Sequence, residues 1–218
     1  MRRKELERRL SMVPAHPAPS AALEQYGTTA LVAADLLYEA LVQGDIADRV
    51  VVDLGCGTGI LAIGAKLLGA REAIGIDTDA TAIAVAHSAA GGLGVTVDFI
   101  VGDIGELHER VDCVVMNPPF GSQRRHADRP FIETALRLAP VVYSLHNGAT
   151  LPFLQSMAKA LKTELTVVGR LTLPLPRQFP HHRKAVVEQA VVLLRWRRDA
   201  RNGPLVAAGV AGSRSEDV

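Results

Sequence analysis

Apolar positions recur at helical spacing in "TTALVAADLLYEALVQG" (28–44), which opens on a Thr fit to cap and closes on Gly44, so this stretch predicts a helix. The rhythm then changes. "RVVVDLG" (49–55) is a short unbroken apolar run, the pattern of a buried strand, and "GILAIGAKLLG" (59–69) returns to helical spacing with Gly69 as its stop. The alternation continues. "EAIGID" (72–77) predicts a second strand, and "DATAIAVAHSAA" (79–90) a helix opened by Asp79. "VTVDFIVGD" (95–103) and "VDCVVMN" (111–117) predict strands three and four, "PFIETALRLA" (130–139) a helix and "PVVYSLH" (140–146) strand five. After a helix at "LPFLQSMAKAL" (151–161) come two β-rich runs, "ELTVVGRLTL" (164–173) and "AVVEQAVVLLRW" (185–196), with no helix between them. Strands alternating with helices imply a parallel sheet covered on both faces, and the final pair implies an antiparallel hairpin. The last twenty residues, 199–218, lack aromatic residues and steady periodicity and are expected to be disordered.

Composition changes this picture little. The chain has 218 residues, 48% hydrophobic and 22% charged, which suits one soluble globular domain. No apolar run approaches the length of a membrane span, and "MRRKELERRL" has no apolar centre that could serve as a secretory signal. The two cysteines, Cys56 and Cys113, have neither metal-ligand spacing nor a framework of partners, so a reducing, cytoplasmic compartment is expected and no metal. Net charge is only +1, but its distribution is uneven. Residues 1–10, 177–184 and 195–201 each carry +3, which leaves −8 on the rest.

Gly55, Gly57 and Gly59 in "VVDLGCGTGI" fall between strand one and the first crossover helix, where a doubly wound sheet binds a nucleotide-like ligand. Asp77 follows 18 residues after Gly59, at the end of strand two, where a carboxylate can accept from both ribose hydroxyls. Asp103 closes strand three, where an adenine would lie. A nicotinamide site wants G-x-G-x-x-G, but Ile60 stands where its third glycine would fall. The G-x-G-x-G spacing preceded by Asp53 resembles motif one of S-adenosylmethionine-dependent methyltransferases.

"VVMNPPFG" (114–121) supplies the second element of chemistry. Pro118 and Pro119 fix two φ angles and remove two backbone donors. Strand four ends beside strand one, so Asn117 would lie next to a methyl donor. An amine conjugated to an aromatic ring or carbonyl is a poor nucleophile because its lone pair is delocalised. The Asn117 side-chain oxygen and the Pro118 carbonyl could accept its two N–H bonds and align the lone pair, while Phe120 offers a flat face for stacking. Such catalysis is positioning plus electrostatics.

"RKELERRL", "LEQYGT", "VVDLGCGTGILAIGA", "GIDTD", "VVMNPPFGS", "VVYSLH" and "LPRQFPHHRK" occur in the order seen in the ribosomal RNA adenine-N6 methyltransferases of archaea and eukaryotes, and the resemblance covers residues 1 to about 198. It implies a Rossmann-like, seven-stranded class I methyltransferase fold, α/β, with a mostly parallel sheet and a C-terminal antiparallel hairpin. The expected organisation is a basic helix within 1–19, a methyltransferase domain over 20–198 and a tail over 199–218.

Carried over by position, the resemblance implies that Gln25, Tyr26 and Thr28 close over S-adenosylmethionine. Asp53, Gly55, Gly57, Thr58, Gly59 and Ile60 would form its glycine loop, with Asp77 on the ribose and Asp103 and Ile104 beside the adenine. Asn117, Pro118, Pro119 and Phe120 would be the catalytic segment, with Asn117 also against the cofactor. Gly27 departs from the proline more usual there, which would loosen the N-terminal lid. The substrate would be an adenosine in small-subunit ribosomal RNA. A small zinc-binding activator protein is implied on the edge strand at 95–101. Two other functions remain open: a protein glutamine N5-methyltransferase, which typically has Tyr where Phe120 stands, and a non-catalytic ribosome assembly factor that binds the same donor.

Arg124, Arg125 and Arg129, just after the catalytic segment, could meet phosphates, or belong to a solvated loop. His181, His182, Arg183 and Lys184 could face RNA; adjacent histidines without partner ligands do not suggest a metal. In the first helix Leu6, Leu10 and Val13 form an apolar stripe for docking, with basic residues around it. Trp196 reads as packing rather than a base platform.

Overall fold

A computed structural model describes residues 1–17, 27–119, 127–176 and 186–198. Its order is α1 (Arg3–Leu10), α2 (Ala30–Val42), β1 (Val50–Leu54), α3 (Ile60–Leu67), β2 (Glu72–Asp77), α4 (Ala80–Gly92), β3 (Asp98–Val101), β4 (Cys113–Met116), α5 (Arg129–Leu138), β5 (Val141–Asn147), α6 (Leu151–Ala160), β6 (Thr163–Pro176) and β7 (Val186–Arg198). One seven-stranded sheet runs β3-β2-β1-β4-β5-β7-β6. The first five strands are mutually parallel, while β7 is antiparallel to both β5 and β6. This is the expected α/β arrangement, with the hairpin at one side.

The caps explain where several helices begin. Thr29 accepts the Val32 amide at the start of α2, and the Asp79 carboxylate accepts the Thr81 and Ala82 amides at the start of α4. The third strand is shorter than its apolar run, because the Val95 amide still bonds back to Ala90 O at the end of α4. Pairing with β2 therefore starts only at Asp98.

Two apolar layers sandwich the sheet. On one face Leu6 and Leu10 of α1 join α2, α3 and part of α4 in a single cluster with Val51, Val115, Tyr143 and Leu193. On the other, α5 and α6 cover Val52, Val114, Met116, Val142, Leu194 and Trp196. The basic residues of α1 are partly committed within the fold. Arg3 pairs with Asp35 at 2.7 Å, Arg8 with Glu5 at 2.8 Å, and Arg9 donates to Leu93 O. Among the described residues no helix is long and apolar enough to cross a membrane.

The hairpin outruns the rest of the sheet. Pairing between β5 and β7 stops at Asn147↔Val191, yet β6 and β7 remain paired from Thr172↔Ala190 to Pro176↔Val186. Five further pairs correspond to roughly 17 Å of two-stranded ribbon. It extends from the edge at which β4 and β5 end.

Candidate active site

The C-terminal ends of the parallel strands bring most of the candidate residues to one edge. Along it lie, strand by strand, Asp103 and Ile104 beyond β3, Asp77 ending β2, the glycine loop after β1, and Asn117 after β4. At about 4.8 Å between strands this row spans roughly 14–15 Å from β3 to β4. That matches an extended ligand with a ring at one end and a reactive group at the other.

The loop after β1 is tied down by backbone bonds. Gly55 and Cys56 amides both donate to Ile76 O, at 2.9 and 3.0 Å. Gly57 has φ +52° and open space where a Cβ would stand, so it is the glycine that leaves room for a ligand. Gly59 serves packing as well: with φ +82°, a Cβ there would lie 2.7 Å from the Phe99 ring of β3. A Cβ at Gly55 would meet Phe131 of α5 at 2.9 Å. Phe99 and Phe131 thus press the loop from both sides, contacts that the spacing of glycines did not reveal.

Asp77 is oriented by two backbone donors, Gly57 N to Oδ2 at 2.8 Å and Asp79 N to Oδ1 at 2.9 Å. Each oxygen keeps acceptor capacity for a hydroxyl. Asp53 lies beneath the loop, almost fully buried; its Oδ2 accepts from Ala62 N at 3.1 Å. Its Oδ1 is buried with no hydrogen-bond partner among the described residues. Desolvation pushes the Asp53 pKa up to about 8, opposed by the Ala62 bond and helped by nearby Asp77. The carboxyl is therefore largely protonated at neutral pH. Burial also raises the Cys56 thiol, which fits a packing role.

Asn117 leaves the end of β4 with its Nδ2 donating to Thr28 Oγ1 at 3.0 Å. This bond joins residues 89 positions apart and fixes which way the amide faces, with Nδ2 toward Thr28. On the far side of the glycine loop, His16 Nε2 lies 2.9 Å from Asp79 Oδ2. His16 was not among the candidates; a lone histidine in "AHPAP" carries no periodic signal. Asp103 lies two residues beyond the end of β3 rather than in it, exposed, with its carboxylate capping a short 3₁₀ turn through Gly105 N. Arg129 is the first residue of α5 and pairs with Glu133 at 2.8 Å. Gln25, Tyr26, Phe120, Arg124, Arg125, His181, His182, Arg183, Lys184 and the 199–218 tail lie outside the described residues.

A buried polar chain in β5 leaves no signal in the sequence periodicity. Trp196 Nε1 donates to Ser144 Oγ at 2.8 Å, Ser144 Oγ lies 2.9 Å from His146 Nε2, and His146 Nδ1 is 3.3 Å from Asp128. A separate group ties Tyr143 OH and Arg195 to Asp45, at 2.7 and 2.9 Å.

A sheet of this order, with a glycine loop after β1 and an acidic residue ending β2, is that of a class I methyltransferase. Residues 29–141 match the methyltransferase small domain, and the chain belongs to that family. An uncharacterized protein of Methanocaldococcus jannaschii is 40% identical over 89% of this chain and 94% of its own length. The rRNA N(6)-adenosine-methyltransferase of Danio rerio is 33% identical over 90% of this chain and 99% of its own. A crystal structure of a candidate RNA methyltransferase from Pyrococcus horikoshii superposes with a TM-score of 0.83, at 37% identity, covering 93% of this chain and 98% of that one.

Proposed function

We propose that the chain transfers a methyl group from S-adenosylmethionine to the exocyclic N6 amine of an adenosine in small-subunit ribosomal RNA. The observation that carries this reading is the Asn117-Pro118 pair leaving β4 directly beside the glycine loop, with the asparagine amide oriented by Thr28. The near full-length relationship to the Danio rerio enzyme supports the choice of substrate.

The cofactor fits the residues present. Gly57 leaves an open cradle, Asp77 offers two oriented carboxylate oxygens, and the orphaned buried Asp53 Oδ1 lies under the loop. Asp77 would hold the ribose, Asp103 and Ile104 the adenine, and Gly55 through Ile60 the methionine portion. When bound, the donor supplies an electrophilic methyl on a sulfonium. The protein's part is to align the amine. The Asn117 side-chain oxygen and the Pro118 carbonyl accept its two N–H bonds, which favours a pyramidal nitrogen with its lone pair facing the methyl carbon. With the donor held by Asp77 and the glycine loop, its methyl would pass to the aligned nitrogen, the electron pair of the bond to sulfur would stay with sulfur, and the amine's surplus proton would pass to solvent. Phe120 would stack on the base, which must be lifted from any helix to reach the site.

The ribbon of β6 and β7 supports RNA as the polymer. It rises on the same edge as Asn117, and the run "RQFPHHRKA" joins its two ends. His181, His182, Arg183 and Lys184 would meet phosphates there, as would Arg124, Arg125 and Arg129 near the catalytic segment. Gln25 and Tyr26 would close over the donor; His16 and Thr28 tie the chain to Asp79 and Asn117 on either side of that segment.

A zinc-binding activator protein would pair with β3. That strand is an edge of the sheet, and Ile100 and Val101 are 40% and 54% exposed. The site of action would be the cytoplasm.

The test is radiolabelled methyl transfer to ribosomal RNA from a strain lacking the gene, with N6-methyladenosine identified by mass spectrometry. Asn117→Ala should lower single-turnover rate on the order of a hundredfold or more while donor affinity stays within a few fold. Unchanged turnover in that variant, or methyl appearing on glutamine instead, overturns the reading.

A further inference from the structure

Strand β5 has alternating faces. Tyr143 and Leu145 join the layer under α2, while Val142, Ser144 and His146 face the layer under α5 and α6. Two polar side chains, Ser144 and His146, therefore sit fully buried in an otherwise apolar layer. Such groups are retained only when their bonds are satisfied, and what they add over a Val or Leu is a directional, single solution to how elements meet.

The direction of these bonds can be worked out. The indole of Trp196 can only donate, so Ser144 Oγ accepts from it. The Ser144 hydroxyl is then free to donate to His146 Nε2, which leaves the ring proton on Nδ1, facing Asp128 Oδ2. Burial lowers the His146 pKa, against the pull of Asp128, consistent with a neutral ring in that tautomer. The chain of donors runs one way, from Trp196 of β7 to the Asp128 carboxylate.

Asp128 is the residue that gives this chain a purpose. It stands immediately before α5, where an aspartate would normally cap the helix, yet its side chain makes no capping bond and is buried against His146 instead. It lies eleven residues after Asn117, on the far side of the segment that begins with Pro118 and Pro119. The other end of the chain is equally close to the site: Ser144 is the β5 partner of Met116, the residue before Asn117.

We propose that His146 is a positioning residue for methyl transfer, holding through Asp128 the start of α5, eleven residues beyond Asn117. The proposal rests on the methyl-transfer reading above. The Thr28 bond orients Asn117 and the His146 contact holds Asp128, so the described residues on both sides of 120–126 are each tied to the core of the fold.

Two variants separate positioning from packing. In His146→Leu the layer stays filled and apolar but Asp128 loses its donor; in His146→Asn an amide N–H replaces Nδ1–H with less volume. Expected for His146→Leu is a turnover loss of roughly tenfold to a hundredfold at saturating RNA. Calorimetric affinity for S-adenosylmethionine should stay within about twofold, and hydrogen exchange should quicken in the first turn of α5. His146→Asn should recover most of the turnover and the slow exchange. A purely space-filling residue would give the opposite order, with leucine better than asparagine, and that result overturns the proposal. So does wild-type turnover with unchanged exchange in His146→Leu. If the wild-type chain methylates no RNA, the functional reading falls by itself, while the exchange comparison still decides whether His146 holds Asp128.

Discussion

The two halves of the sheet place their polar groups differently. From β3 to β4, apart from Asp53 inside β1, polar groups on the candidate site lie at strand ends and in the turns that follow: Asp77, Gly57, Asp103 and Asn117. In β5 and β7 they lie within the strands, at Tyr143, Ser144, His146, Arg195 and Trp196, where they bind one another and Asp45 or Asp128. The parallel half presents chemistry to a ligand and the antiparallel half presents it inward. Damage to the first should therefore change binding with little change in stability. Damage to the second should do the reverse, except where an inward group reaches the site, as His146 does through Asp128.

The largest expected effect is on stability in the inward half. Trp196→Ala would empty a fully buried indole site and strand the Ser144 hydroxyl without its donor. A loss of about 3–5 kcal/mol is expected, read as a lower midpoint in denaturant at an unchanged m-value. A shift under about 1 kcal/mol would mean that the hairpin contributes little to the cooperative fold.

Asp77→Asn tests the outward half. The ribose loses a charged acceptor worth about 1.5–3 kcal/mol, a loss of at least tenfold in donor affinity by calorimetry. The midpoint of unfolding should fall far less than in Trp196→Ala: the remaining oxygen still accepts from one of the two loop amides, and losing the bond to the other costs about 0.5–1.5 kcal/mol. Equal losses of binding and stability would erase the contrast between the two halves.

Asp53 is the exception in the outward half, and pH isolates it. Its folded pKa, about 8, lies above the 3.8 of an unperturbed carboxyl, with burial as the main cause. Between those values the unfolded chain releases the proton and the folded chain keeps it. This group's contribution to stability is thus fully present below about pH 4, falls as pH rises, and is lost above about pH 8. Asp53→Asn resembles the protonated acid at every pH. Its melting temperature relative to wild type should climb between pH 5 and pH 8; a constant difference would place a charged carboxylate at the site.

The same contrast explains what was legible in the sequence. Glycines with positive φ, helix caps and the residues after a strand have restricted identities, so "DLGCGTG", "GID" and "MNPP" could be read as a site directly. The parallel sheet and the hairpin followed from periodicity. Inward groups leave weaker traces. "VVYSLH" was recognisable as a signature, but nothing in its spacing paired His146 with Asp128, eighteen residues earlier, or Ser144 with Trp196. Such pairings depend on register and on which strand is the neighbour, and a periodicity of two cannot supply that. Phe99 and Phe131, which clamp the glycine loop, were hidden for the same reason.

The smallest effect on the folded protein should come from residues 177–185, which join β6 to β7 in the sequence. The two strands stay paired through Pro176↔Val186, beyond the last β5–β7 pair, so reversing Arg183 and Lys184 to Glu should leave both melting temperature and donor affinity unchanged. What should change is the response of RNA binding to salt. Each phosphate neutralised by a lysine or arginine releases condensed counterion, about 0.7–0.9 in the log–log slope. Losing two such contacts should flatten the slope by about 1.4–1.8 and weaken binding most at low salt. Filter binding of a ribosomal RNA fragment between about 50 and 200 mM salt measures this. An unchanged slope would mean that phosphates are met elsewhere, with Arg124, Arg125 and Arg129 beside the catalytic segment the next residues to reverse. A changed slope with unchanged turnover at saturating RNA would assign the ribbon to docking and leave alignment of the base to Asn117 and its neighbours.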